Sequence, residues 1–144
     1  MANIERVKAV VEHIETQLAK QKQQSSQPVT NLLSFDMGEW FAEKKGPDGN
    51  ICGTTMCLAG WGAHFAGKKM VRMRDGFASD VFVEDVDGHE EIEAWASKFF
   101  DFNCNETEVF YQTHIQDTEE LKSAINYHLD EEVFEGVEDY YDIY

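Results

Sequence analysis

The sequence predicts a mainly α fold, a compact helical domain, and it admits one small β-hairpin near residues 70–83. Three observations lead there. Apolar residues recur at helical spacing in Ile4–Leu18, Glu90–Phe100 and Thr118–Leu129. A run of small and apolar residues reaches Ala66 and closes on Gly67, the pattern of a buried helix and its stop. At 144 residues and 42% hydrophobic, with ten Phe, five Tyr and three Trp, the chain can build one core without staples.

In chain order, Ile4, Val7, Val10, Val11, Ile14 and Leu18 form one stripe of an amphipathic helix that Asn3 can cap. Gln21 to Gln27, closed by Pro28, is polar and reads as a loop, giving a linker over residues 20–29. Leu32 to Ala42 carries Leu32, Leu33, Phe35, Met37, Trp40 and Phe41 and reads as a short apolar helix. Lys44 to Asn50 contains Gly-Pro-Asp-Gly, which is turn chemistry. Thr54 or Thr55 then caps the small-residue helix. Met70–Met73 is extended and can pair with Phe77–Val83. Asn103 or Asn105 caps a short helix bearing Val109, Phe110 and Tyr111, and Thr118 caps the last helix. The tail sets Val133, Phe134, Val137, Tyr140, Tyr141 and Ile143 among seven acids, so residues 117–144 are expected to form an acidic helical extension docked on the body.

Charge is divided unevenly. Residues 1–74 hold 7 acids and 10 bases, whereas residues 75–144 hold 21 acids against Lys98 and Lys122 alone, for a total of −16. Nucleic-acid affinity depends on Lys and Arg displacing counterions, so a nucleic acid is excluded as the ordinary ligand. An acidic surface of this kind either solubilises the chain or mimics a polyanion and enters a partner's basic groove. Cys52, Cys57 and Cys104 are an odd set, and Met1–Gln17 has no apolar leader core. The longest nearly apolar stretch, Met56–Gly67, is too short to span a bilayer. A soluble protein with reduced thiols in a cytoplasm is expected, with no membrane partner and no cofactor.

The string Cys52-Gly53-Thr54-x-x-Cys57-x-Ala59-Gly60-Trp61, preceded by Trp40, resembles a family of small uncharacterised proteins of tailed phages. Those proteins open with a helix like Ile4–Leu18 and carry a later helix that ends in a Leu-Gly-Leu-like turn. The corresponding part here is Trp95–Phe102 and Val109–Tyr111, with Phe100-Asp101-Phe102 in place of that turn. The resemblance covers about residues 4–112. It implies a phage setting, hence a host cytoplasm, and no activity. The Gln-rich run and the acidic end after Asp117 depart from the pattern.

Three constellations could carry a function. Asp130, Glu131, Glu132, Glu135, Glu138, Asp139 and Asp142, interleaved with aromatics, would form the acidic face that binds and blocks a host protein with a basic groove. Alternatively, Gly53, Thr54 and Thr55 at a helix start, with Lys44 and Lys45 nearby, would hold the phosphate of a nucleotide. Third, Cys52, Cys57, His64 and Cys104 would ligate zinc, against the plainer reading of small buried cysteines. Cysteine catalysis is disfavoured, since His64 lies two helical turns from Cys57, about 10 Å along the axis. Asp85-Val86-Asp87-Gly88 fails the calcium-loop pattern, with Val83 and Ala94 where acids belong.

Overall fold

A computed structural model of the chain describes residues 2–23, 32–45, 47, 51–75, 78–85 and 88–138. The order is α1 (Ile4–Gln23), β1 (Leu32–Phe35), β2 (Phe41–Lys45), β3 (Ile51–Met56), α2 (Leu58–Phe65), β4 (Lys69–Asp75), β5 (Ala78–Asp85), β6 (Gly88–Glu91), α3 (Ile92–Phe100), a 3-10 helix (Glu106–Tyr111) and α4 (Thr118–Leu129). The fold is therefore mixed α/β, with two three-stranded sheets, and the mainly α expectation is corrected.

The correction has a local cause. The stretch expected as a helix at Leu32–Ala42 instead supplies β1 and the start of β2, and the expected helix start at Thr54 is the middle of β3. β-Branched Ile51, Thr54 and Thr55 suit a strand, and β3 is the central one, parallel to β1 and antiparallel to β2. Thr54 and Met56 point inward, while Thr55 meets Ser34 across the parallel pair, hydroxyl to hydroxyl at 2.8 Å. The second sheet has the order β4-β5-β6, all antiparallel, and contains the hairpin allowed near residues 70–83. The Arg72 guanidinium in β4 donates to the Phe41 carbonyl in β2 and ties the two sheets together.

α2 lies at the centre, against α1, α3, β3 and β4. Every residue from Leu58 to Ala63 is buried, so α2 is apolar all round until its last turn, where Phe65 reaches the surface. Trp61 is fully buried and donates its indole N–H to the Ser34 carbonyl at 3.2 Å. The helix closes as the sequence suggests. Gly67, at φ +73°, donates to the His64 carbonyl and Lys68 to Ala63, a Schellman arrangement. Val7, Val10, Val11 and Ile14 of α1 and Leu121, Ala124 and Ile125 of α4 complete the core.

Other boundaries shift by small amounts. α1 runs through Gln23, so the first four positions of the expected 20–29 linker are helical; residues 24–29 lie outside the described residues. The Gln21 amide bonds both backbone groups of Leu33, at 2.8 and 2.7 Å, and fastens the end of α1 to β1. Asn3 caps α1 by accepting from the Arg6 amide at 3.1 Å. Asp117, not Thr118, caps α4, accepting from the Glu120 amide. Of the acidic helical extension expected over 117–144, Thr118–Leu129 is helical and residues 130–138 are not; residues 139–144 lie outside the described residues.

The motif residue Gly60 has a definite task. A Cβ there would stand 2.4 Å from the Trp40 carbonyl oxygen and 2.8 Å from the Met56 Cβ. We expect Gly60→Ala to destabilise the chain by about 3 kcal/mol, because backbone and core must both move. Urea unfolding checks this, with Gly53→Ala, which meets nothing closer than 3.6 Å, as the milder comparison.

Candidate functional site

The segment that follows α4 is held by side chains, not by secondary structure. Asp130 adopts the left-handed conformation (φ 50°) and turns the chain, with its N–H on the Tyr127 carbonyl and that of Glu131 on Asn126. Val133 inserts into the core, and Phe134 packs beside it under the Lys122 ammonium, 5.9 Å from the ring centre. The Asn126 amide then grips the Phe134 main chain. Its Nδ2 donates to the Phe134 carbonyl at 2.8 Å, and its Oδ1 accepts from the Phe134 N–H at 2.9 Å. Further on, the Ser123 hydroxyl donates to the Glu138 carbonyl at 2.7 Å.

This return path leaves an open groove of about 530 Å³ between α4 and residues 130–138, lined by Tyr127, Asp130, Glu131, Glu132 and Glu138 among others. Those four carboxylate residues and Glu135 are exposed, and Tyr127 is 53% exposed. No Lys or Arg lines the groove among the described residues. Glu132 and Glu135 also border a smaller cleft with Lys8 and Lys122. Asp139 and Asp142, also assigned to the acidic face from sequence, lie outside the described residues.

Several other acids of the second half have separate duties, so the negative charge is not one uniform sheet. Glu106 is buried and accepts from the Asn103 N–H at 2.8 Å, and Asp117 caps α4. Lys98 pairs with Glu90, Lys69 with Glu84, and Lys122 with Glu15 and Glu119. The carboxylates at 130–138 make no ion pair within 4.0 Å among the described residues.

The second and third constellations are not assembled as expected. Gly53, Thr54 and Thr55 lie in the central strand, with backbone groups engaged by ladders on both sides; Lys44 stands opposite Gly53 in β2, and Lys45 opposite Ile51. α2 begins four residues after Thr54, at Leu58, capped at Cys57 without a side-chain bond, and its first residues are buried. A phosphate has no exposed helix start at Gly53–Thr55 to occupy. Cys57 is buried with Sγ 4.0 Å from the Trp40 carbonyl, and burial pushes its thiol up to about 11. Cys104 is exposed beyond α3, and the side chain of Cys52 lies outside the described residues. Among the described residues no three His, Cys, Asp or Glu side chains are grouped to hold a metal ion.

His64 has a different partner, which sequence reasoning missed. Its Nδ1 lies 3.0 Å from Nε2 of His13 on α1, and both rings stand edge-on to Trp61. Nothing in the local pattern links residues 51 positions apart. A hint was available only in that each His sits beside the apolar stripe of its own helix.

The fold and groove define a small mixed α/β protein with an acidic recess built from α4 and the chain that doubles back beside it. No protein-family profile, curated protein or solved structure matches the chain. No helix among the described residues is long and apolar enough to cross a membrane.

Two outcomes follow from these contacts. Asn126→Ala removes both bonds to Phe134, and hydrogen exchange at the Phe134 amide is expected to accelerate at least tenfold, with a stability loss of about 1–2 kcal/mol. A maleimide reagent at neutral pH should modify Cys104 within minutes and leave Cys57 unmodified until the chain is denatured, as peptide mass spectrometry would show.

Proposed function

We propose that this chain is a non-catalytic accessory protein, of phage origin by the Cys52–Trp61 resemblance, that binds a basic groove of a host protein through the carboxylates at 130–138 and blocks it. One observation carries the reading. Asp130, Glu131, Glu132 and Glu138 edge a recess without a lining cation, and they are held there by Asn126 and Ser123 instead of hanging from a free tail. Carboxylates carried on a main chain that is already held lose less backbone freedom when a partner arrives, so more of their attraction is retained as affinity. Tyr127, edge-on to His128, borders the same recess. The non-catalytic part is supported by the state of the nucleophile candidate: Cys57 is buried, its thiol is pushed up to about 11, and His64 is engaged elsewhere.

Attraction of this type acts over a Debye length of about 10 Å at 0.1 M salt and weakens as salt rises. The test uses a nucleic-acid-binding protein captured from host cells on the immobilised chain. Its Kd is expected to rise at least tenfold between about 50 and 300 mM salt, with duplex DNA competing for it. The variant Asp130→Asn, Glu131→Gln, Glu138→Gln should weaken binding by a further tenfold or more without changing the unfolding free energy in urea by more than about 1 kcal/mol. A partner held equally well at both salt concentrations, or by the neutralised variant, would overturn the assignment.

A further inference from the structure

The contact between His13 and His64 has a geometry that limits what it can do. The ring centres are 5.2 Å apart and the planes 29° apart, with the facing nitrogens at 3.0 Å. A centre-to-centre distance of that size is the nitrogen separation extended by about one ring radius at each end. The rings therefore meet edge to edge along a single hydrogen bond, not face to face. Their facing lone-pair directions point at each other and do not converge on a shared third point, as two ligands of one metal ion must. Such a contact holds one hydrogen between two nitrogens.

Proton counting follows directly. In the neutral pair one facing nitrogen donates and the other accepts. A first added proton can take the outer nitrogen of the donor ring, which leaves the bond intact and gives it charge assistance. A second must take the accepting nitrogen itself, so that two N–H groups and two positive rings then oppose each other. We propose that His13 and His64 form a one-proton latch, which holds the second half of α1 against α2 while at most one ring is charged and releases it when both are.

The surroundings suit that task. Trp61 is edge-on to both rings and Phe65 is edge-on to His13, so the neighbours are aromatic and uncharged. α3 reaches this region through Phe99, which packs on Phe65. The charged group that acts on His13 besides His64 is Lys20, two turns along α1, and it opposes protonation. β1 meets the end of α1 through the backbone of Leu33, and α4 meets α1 through Lys122 and Glu15, whose position two residues from His13 points away from it. Burial first, then His64 and Lys20, hold His13 below its ordinary value of 6.5, and burial does the same for His64. The sign is fixed by linkage. With latched values depressed, the released segment binds more protons than the latched one, so the stability of the latch is complete above pH 6.5 and is lost as pH falls below it through the depressed range. Release would also strain the Gln21 clasp on Leu33, since it belongs to the same helical half.

Amide hydrogen exchange at about pH 7 and about pH 5, expressed as protection factors, tests the latch. Protection over residues 14–23 of α1 is expected to fall on the order of tenfold for each unit of depression, while α3, which lacks histidine, keeps its protection. His13→Gln and His64→Asn retain a donor and an acceptor but cannot take the proton, and each should flatten the difference. Equal protection of α1 at both pH values, or the same loss in His13→Gln as in the parent, would overturn the proposal. If neither variant folds, ring-nitrogen resonances of the parent decide. Two separated steps below the ordinary histidine value support the latch, and a single joint step at that value ends it.

Discussion

The structure depends on the closeness with which α2 can be approached. Its residue Gly60 passes the Trp40 carbonyl so tightly that even one methyl group would collide, and this lets the buried first six residues of α2 be enclosed by α1, α3 and strands of both sheets. The same Trp40 carbonyl lies beside the Cys57 sulfur. Small residues in the Cys52–Trp61 string are thus explained by packing: Gly60 by the backbone it meets, Cys57 by burial, Trp61 by the space at the centre of the core. The string that looks most like a functional motif is a structural one.

Enclosing one helix has a cost that the remaining elements meet. Two sheets must cover it, and the join between them is made by a charged side chain, Arg72, reaching the carbonyl at the head of β2. Gln21 makes a comparable join between α1 and β1, and Asn126 between α4 and the returning chain. In all three, a side chain supplies hydrogen bonds to main-chain groups where no regular ladder continues.

Sequence reasoning located most of the helices and failed at the first sheet. α1, α3 and α4 were legible because each presents an apolar stripe against polar residues, and Gly67 marked a real stop. β1 and β2 were not, because the alternation of Leu33, Phe35 and Met37 with Ser34, Asp36 and Gly38 is short and is obscured by Leu32, Trp40 and Phe41 on either side of it. The two threonines were read as a cap when they were β-branched residues of a central strand, an ambiguity that only the parallel partner at Leu33–Ser34 resolves. Of the acidic face, the residues were legible and their arrangement was not. Nothing in composition separates Glu106 or Asp117, which serve the backbone, from Glu131 or Glu138, which serve solvent. The histidine pair was invisible for the reason that any contact between distant helices is.

The grip of Asn126 on Phe134 has an evolutionary consequence. It reads peptide groups only, and its neighbour Val133 supplies the apolar anchor, so the fold places no demand on the side chains at 130, 131, 132, 135 and 138 beyond the left-handed turn at the first. Those positions are free to change size and sign while the loop keeps its course. A lineage bearing this clasp could retarget the recess by point substitution, much as a framework carries interchangeable loops, and could do so without disturbing the enclosed helix beneath.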